Sequence, residues 1–331
     1  MTMTKLNSPE PEEQPSEPVP NPSVNPEATE PDLPKEELPP PPIVQVIYEL
    51  KKENLNAAFS RIAQDLQSII DNSGLIDKYN FLFLYDERSP ISERTANKLY
   101  EVASGDFADK KKPSYLLLHT TGGLPVPAYL ISRYLKASPG GGFVAVIPRR
   151  AKSAGTLIAL GAKEIHMGMM SELGPVDPQI SDQPALGLGS ALEYIAGVCE
   201  KHPKSAEMLS KYLQGTLNIQ HLGLFERISE SATHYAEKLL RRDSLSQDRV
   251  KEVAKRLVYG YKDHSFAIDC DEIRDILGEE IVKIETQEYV LANLLHQYLE
   301  RVNLYYWVFH DKYCSVVGRA EADDLNLSDC P

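Results

Sequence analysis

A chain of 331 residues with 48 acidic and 35 basic side chains has a formal net charge of −13, and 42% of its residues are hydrophobic. This acidity disfavours a general nucleic-acid binder or a protein that docks on an anionic membrane, because both need a basic face. No apolar run approaches the about 20 residues that span a bilayer, and no segment has the pattern of a secretory signal. We therefore expect a soluble cytoplasmic protein without a membrane span or a nucleic-acid partner.

The first 42 residues differ in composition from the rest of the chain. Residues 1–42 hold 13 of the 24 prolines and nine acidic side chains against two lysines, with no glycine or aromatic residue. Such a segment buries too little apolar surface to offset its chain entropy, which predicts a disordered, acidic, Pro-rich tail. The apolar positions of residues 43–74 recur at helical spacing and predict an N-terminal helix before Gly74.

The cysteines and the glycine motifs argue against a cofactor. The four cysteines are far apart and form no Cys-x-x-Cys pair, a pattern typical of reduced thiols rather than of a zinc site. Neither a dinucleotide Gly-x-Gly-x-x-Gly motif nor a phosphate-binding Gly-Lys-Ser/Thr loop is present. We therefore expect neither a cofactor nor a bound metal.

Short apolar runs alternate with helical patterns in the middle of the chain. Four runs have the continuous hydrophobicity of strands buried on both faces: residues 81–85, 115–119, 143–147 and 164–167. Alternation of this kind predicts right-handed β-α-β units and a mainly parallel sheet, hence an α/β protein. The later part of the chain is predicted to be helical over residues 190–213, 225–242, 247–259 and 285–309.

Two loops that follow predicted strands carry candidate catalytic groups. The glycine pair Gly122-Gly123 could direct backbone N–H groups at a developing oxyanion, although a plain turn also explains it. Ser153 stands where a strand ends and a helix begins, next to the backbone N–H of Ala154. A serine in this position is either a nucleophile beside an oxyanion donor or an ordinary helix N-cap.

Three segments taken together resemble a known family. They are residues 116–123, 151–162 and 171–179, which contain Thr-Thr-Gly-Gly, Lys-Ser-Ala-Gly-Thr and Glu-Leu-Gly-Pro-Val-Asp-Pro. In this order and spacing they resemble the serine dehydrogenase proteinase family, which is related to signal peptide peptidase A. The similarity runs from about Phe81 to Glu285.

The resemblance implies the Clp-protease/crotonase-like fold over residues 75–285, with a helical C-terminal extension at 286–331. It also implies a serine peptidase that acts on peptides or proteins, with Ser153 as nucleophile and the N–H groups of Gly123 and Ala154 as oxyanion hole. Relatives often have proline where this chain has Thr121. The aromatic stripe in residues 285–309 adds the expectation of a homo-oligomer, because it is more apolar than a monomer surface tolerates.

The resemblance leaves the general base open. In Clp enzymes a histidine follows the nucleophile by one strand and an aspartate comes later, whereas here Asp177 falls near the first place and His264 near the second. A Ser153–His264–Asp177 triad with these two positions exchanged is one possibility, since triads are defined by geometry. Signal peptide peptidases use a lysine instead. The candidate lysines are Lys152, Lys201 and Lys204.

Two further interpretations belong to other classes of function. A catalytically silent scaffold or adaptor would keep the fold and use the tail and the aromatic helix for binding. Acyl-CoA chemistry on the same fold is disfavoured, because no adenine or pyrophosphate site is apparent. His119 and His166 lie in or at the ends of predicted buried strands, and we expect both to be structural.

Overall fold

The computed structural model describes most of the chain after residue 46. The described residues are 47–48, 51–52, 54–105, 109–180, 183–184, 187–216, 219–261 and 263–330. The predicted tail, residues 1–42, lies outside them. The described helices are α1 (Leu55–Asp71), α2 (Glu93–Ser104), α3 (Pro125–Lys136), α4 (Ala154–Leu160), α5 (Gly187–Lys201), α6 (Ala206–Thr216), α7 (Ile219–Leu240), α8 (Gln247–Tyr259), α9 (Cys270–Leu277) and α10 (Gln287–His310).

The described strands are β1 (Asn80–Asp86), β2 (Ser114–Thr120), β3 (Phe143–Val146), β4 (Arg150–Ala151), β5 (Glu164–Met167), β6 (Glu172–Leu173), β7 (Gln179–Ile180), β8 (Gln183–Pro184), β9 (Ile268–Asp269), β10 (Val282–Ile284), β11 (Lys312–Gly318) and β12 (Leu325–Asp329). Most of them join one sheet, in the order β10-β5-β3-β2-β1-β11-β12. Neighbours from β10 to β1 are parallel, whereas β11 runs antiparallel to both β1 and β12. The predicted α/β class with a mainly parallel sheet is therefore confirmed.

The sheet is covered on both faces, which explains the continuous apolar runs in its central strands. In β1, Leu82 and Leu84 belong to one apolar cluster, while Phe83 and Tyr85 belong to another, because successive side chains point to opposite faces. The first cluster also contains buried residues of α2, α3, α4, α7, α8 and α9. The second contains the buried faces of α1 and α10.

Two expectations about the helices are wrong. The helix predicted over residues 190–213 is interrupted by a 3-10 turn at Pro203–Ser205, where proline has no N–H for a continuing helix. The chain beyond His310 is not a helical extension, because residues 312–329 form β11 and β12. The strand β11 pairs with β1, so the C-terminal residues extend the sheet that carries the central strands.

Helix α10 has the predicted amphipathic character. Leu291, Leu295 and Leu299 are buried against the sheet, whereas Trp307 and Phe309 are about three-fifths exposed. Among the helices described here, none combines the length and the hydrophobicity that crossing a bilayer requires.

Candidate active site

A short row of paired strands continues from the carboxyl end of β2. Thr120 pairs with Ala151 of β4, Ala151 pairs with Leu173 of β6, and Leu173 pairs with Ile268 of β9. The first three strands are parallel, whereas β9 is antiparallel to β6. Residues that follow β2, β4 and β6 therefore lie at the same edge as residues that precede β9.

This edge receives the chain segments that carry the candidate catalytic residues. Gly122 and Gly123 follow β2, Ser153 follows β4, and Asp177 follows β6. His264 precedes β9, so the reversed direction of that strand returns it to the same edge. Each residue is within four positions of its strand, so each must lie close to this edge of the sheet.

Ser153 has an unusual backbone conformation, with φ 49° and ψ −113°. A positive φ is uncommon for a residue with a side chain, and sparsely populated conformations cost about 1–3 kcal/mol. The residue occupies the N-cap position of α4, yet its side chain makes no capping hydrogen bond. The ordinary N-cap explanation for this serine therefore does not hold, and the partly exposed hydroxyl is left available for other chemistry.

The glycine pair lies directly against the Ser153 loop. A Cβ atom on Gly122 would be 2.9 Å from both the Lys152 carbonyl oxygen and the Ser153 Cβ. The Gly122 N–H donates to Thr120 Oγ1 at 3.2 Å. Within the described residues, the N–H groups of Gly123 and Ala154 donate no hydrogen bond. Both N–H groups are therefore unpartnered in this part of the structure, which is one requirement for an oxyanion hole.

Ile91 holds the other side of the glycine loop. Its N–H donates to the Gly122 carbonyl at 2.8 Å, and its carbonyl accepts the Leu124 N–H at 2.8 Å. A Cβ atom on Gly123, whose φ is 149°, would lie 2.2 Å from the Ile91 nitrogen. Only glycine allows this close backbone approach without displacing the loop.

His264 and Asp177, which are 87 positions apart, are in contact. His264 Nδ1 lies 2.6 Å from Asp177 Oδ1. The Asp177 side chain is 5% exposed, whereas the His264 side chain is 28% exposed. A buried carboxylate in this position holds the proton on Nδ1 and leaves Nε2 as the acceptor, which is the tautomer of a general base.

Lys152, one of the candidate bases, is surrounded by acceptors. Its ammonium lies 3.1 Å from Glu172 Oε2 and donates to the carbonyl oxygens of Ser265 at 3.4 Å and Phe266 at 3.2 Å. None of these contacts is to the Ser153 hydroxyl, which a general base must reach. They also fasten the loop that follows His264 to the residue that precedes Ser153.

The other two candidate lysines lie on exposed segments. Lys201 ends α5, and Lys204 lies in the 3-10 turn that follows. In the parts of the chain that the structure describes, neither contacts Ser153, Asp177 or His264. Sequence reasoning missed Thr120 and Glu172 as supporting residues, because only strand register shows what they touch.

The mainly parallel sheet with helices on both faces has a Clp-like fold. A family model described as "ClpP-like SDH-type serine proteinase" matches residues 103–312, more than half of the chain. The chain belongs to this family, as the three sequence segments predicted. The match extends beyond the predicted limit at Glu285 and includes α10.

Similar proteins are known from an archaeon. The uncharacterized proteins MJ0137 and MJ1495 of Methanocaldococcus jannaschii are each 30% identical to this chain, over 190 and 185 residues respectively. The aligned residues cover 57% and 56% of this chain and 61% and 58% of the two relatives. The chain thus spans about three-fifths of the length of the curated relatives that it matches.

Two solved structures are similar at a greater distance. Both are mutants of the 1510-N membrane-bound stomatin-specific protease, the second in complex with a substrate peptide. They are 14% and 15% identical, with TM-scores of 0.39 and 0.38. The similarity covers 68% and 69% of this chain and 86% and 82% of those chains. Similarity at this distance says nothing about the substrate of this chain.

Proposed function

We propose that this chain hydrolyses peptide bonds through an acyl-enzyme on Ser153, with His264 as the general base and Asp177 as the residue that orients it. The observation that carries the proposal is the 2.6 Å contact between His264 and the buried Asp177 at the sheet edge where Ser153 begins α4. In this proposal the three residues divide their roles as the members of a serine triad do, in a different chain order.

The reaction would proceed in two halves. His264 Nε2 takes the proton of the Ser153 hydroxyl while Ser153 Oγ attacks the carbonyl carbon of the peptide bond. The π electron pair of that carbonyl moves onto the carbonyl oxygen, which becomes the oxyanion. The N–H groups of Gly123 and Ala154 would stabilise that oxyanion. His264 then protonates the leaving amine as the C–N bond breaks. Water, activated by the same imidazole, releases the acyl group from Ser153.

The contacts of Lys152 support His264 over this lysine as the base. A Ser–Lys mechanism needs a neutral amine directed at the serine hydroxyl. Here the Lys152 ammonium is directed at Glu172 and at the loop of residues 265–266. We infer that it positions His264 rather than replaces it.

A fluorophosphonate probe tests the nucleophile on the full chain. We expect one equivalent of covalent label, which is lost in Ser153→Ala and retained in the control Ser104→Ala, an exposed serine at the end of α2. His264→Gln should reduce peptide hydrolysis at least roughly 100-fold, as expected for loss of a general base. Absence of labelling in the wild-type protein would instead support a catalytically silent scaffold.

We also propose that the substrate is a peptide or protein and that the enzyme acts in the cytoplasm. The four cysteines, of which Cys270 and Cys314 are buried, are free thiols, as is usual in a reducing compartment. In this proposal residues 75–285 carry the catalytic groups. The flanking segments at 43–74 and 286–331 supply α1, α10, β11 and β12, which complete the second apolar cluster.

A further inference from the structure

Three side chains with metal-binding chemistry converge behind the glycine loop, on the face of the sheet covered by α10. They are His119, near the end of β2, and His296 and Glu300 on α10, and one ligand atom from each lies within 4.8 Å of the others. His296 and Glu300 are four positions apart, so they share one face of the helix. The catalytic mechanism uses none of the three.

The hydrogen bonds around His296 leave one ring nitrogen as a free acceptor. The Tyr85 hydroxyl donates its only proton to Glu300 Oε1 at 3.0 Å, so the contact of 2.9 Å to His296 Nδ1 must be donated by the imidazole. In a neutral ring His296 Nε2 then carries a lone pair. Neutral imidazole is the form that ligates metals.

His119 has a buried ring nitrogen without a hydrogen-bond partner. Its side chain is 1% exposed, and its Nε2 lies 2.7 Å from Glu87 Oε1 in a geometry that makes no hydrogen bond. Its Nδ1 accepts a long contact of 3.4 Å from the Arg150 N–H. A buried imidazole nitrogen without a partner among the described residues is a group that a bound ion would explain.

The surrounding charges select the kind of ion. Glu87 is already paired with Arg150, whose Nε lies 2.9 Å from it, and Arg149 donates to Asn293 Oδ1 at 2.9 Å. The net charge of the surrounding groups is therefore close to zero, and an ion must be held by ligand bonds rather than by net negative charge. Two imidazoles and one carboxylate suit zinc and similar transition metals better than magnesium or calcium, which prefer several oxygen ligands.

We propose that His119, His296 and Glu300 bind one divalent transition-metal ion of the zinc type. Tetrahedral zinc holds its ligand atoms roughly 3.3 Å apart, so atoms that lie within 4.8 Å of one another must approach by at most about 1.5 Å, and the exposed Glu300 carboxylate can supply part of this movement. The ion would connect α10 to the end of β2. His119 directly precedes Thr120, whose hydroxyl accepts the Gly122 N–H. A metal bound to His119 would therefore restrict the movement of the glycine loop.

Cobalt and zinc binding to the full chain test the site without any assay of hydrolysis. After treatment with a chelator and its removal, we expect one equivalent of Co²⁺ to give visible absorption bands that Zn²⁺ abolishes, and Mg²⁺ or Ca²⁺ to leave them unchanged. His296→Gln and Glu300→Gln should each weaken Zn²⁺ binding at least tenfold in calorimetry. His310→Gln, an exposed histidine at the end of the same helix, should bind as the wild type does.

Three results would overturn the proposal. They are failure of the wild-type protein to bind Co²⁺ or Zn²⁺ at micromolar concentration, unchanged affinity in both Glu300→Gln and His296→Gln, and loss of binding in His264→Gln alone, which would place the metal at the catalytic pair. Glu300 is exposed, so its variant should fold. Circular dichroism of both variants separates loss of a ligand from loss of structure.

Discussion

At Gly123 the backbone rather than a side chain carries the proposed chemistry. An alanine there would place Cβ 2.2 Å from the Ile91 nitrogen, so Gly123→Ala must move the N–H away from the oxyanion. We expect kcat to fall roughly 100-fold, the usual effect of losing one oxyanion donor, with the fold retained. Steady-state hydrolysis of a peptide substrate measures the change.

Gly141 offers a matched control for this substitution. It also has a positive φ, 93°, but a Cβ there would meet no atom within 4 Å. Gly141→Ala therefore adds similar backbone strain far from any close contact, and its kcat should stay near that of the wild type. Equal kcat values in the two variants would remove Gly123 from the oxyanion hole.

Substitutions of Lys152 distinguish a role in positioning His264 from a role as the general base. If its ammonium fastens residues 265–266 beside His264, Lys152→Arg should keep kcat within tenfold, because arginine can still pair with Glu172. Lys152→Met, which removes the positive charge, should lower kcat by well over tenfold. Arginine does not lose its proton in proteins, so a lysine that acted as the base could not be replaced by it.

The companion variant Glu172→Gln removes the ion pair of Lys152 with Glu172 without changing the lysine itself. We expect its kcat to fall in the same direction as that of Lys152→Met, with KM changed little. A dead Lys152→Arg enzyme alongside a fully active His264→Gln enzyme would reject the triad and leave a Ser–Lys dyad.

At the scale of the element, α10 is anchored by an ionic contact in its first turn. Lys78 Nζ and the Tyr79 hydroxyl donate to Glu288 Oε1 at 2.5 and 2.8 Å. Burial alone would raise the pKa of Glu288, but the hydrogen bonds, first of all the one from Lys78, outweigh it and lower that pKa to about 2. The folded protein therefore favours the ionised carboxylate, which stabilises the fold.

The acid sensitivity of the fold follows from this pKa. A free glutamate titrates near pH 4.3, so the stabilisation is complete above about pH 5 and is lost as the pH falls through 4 toward 2. Glu288→Gln should lower the free energy of unfolding by about 2 kcal/mol at pH 7 and by roughly half as much at pH 3. Urea unfolding at both pH values measures the difference.

An exposed carboxylate provides the comparison for this prediction. Glu280→Gln changes a solvated side chain just before β10, and we expect its unfolding curve to follow that of the wild type at both pH values. A destabilisation of Glu288→Gln that is the same at pH 3 as at pH 7 would contradict the ionic role of the contact.

At the scale of the whole molecule, the outer face of α10 is the basis for expecting a homo-oligomer. Apolar side chains that are about half exposed or more recur along it: Val290, Leu294, Leu304, Trp307, Val308 and Phe309. An apolar surface of this extent on one helix is typical of an interface between copies. Trp307 is the single tryptophan of the chain, so its fluorescence reports on this face alone.

We expect the full chain to elute in size-exclusion chromatography with light scattering as an oligomer at micromolar concentration. Dilution should shift the emission of Trp307 to longer wavelength as the face becomes exposed to water. Leu304→Glu should dissociate the assembly, because it places a charge in an apolar contact. In contrast, Leu124→Glu, an exposed position at the start of α3, should leave the mass unchanged. A wild-type monomer would contradict the expectation.

Local patterns in the chain are enough to predict the central strands, several of the helices and one half of the candidate site. The apolar run at residues 81–85 predicts β1, and Ser246 predicts the start of α8, where its hydroxyl accepts the Arg249 N–H at 3.2 Å. The glycine pair and Ser153 are likewise recognisable as candidate site residues from the few residues around them. Each signal lies within a few consecutive residues, and backbone sterics and hydrogen bonding act over that distance.

Contacts between distant segments could not be predicted in this way. The strands β11 and β12 follow a long helix, and only the open edge of β1 explains why they join the sheet. Similarly, the partners of Lys152 could not be predicted, and the convergence of His119 on α10 has no local signal. Such contacts depend on strand register and helix packing, which are set by the burial of the whole core rather than by neighbouring residues.

The pairing of His264 with Asp177 lies between these two cases. Family resemblance brought the two residues under consideration, but their 2.6 Å contact depends on β9 running antiparallel to β6. A parallel β9 would have sent the residues before it to the opposite edge of the sheet. The amino-acid sequence thus determines which groups are available for the proposed catalysis, and the direction of one short strand determines whether His264 and Asp177 meet.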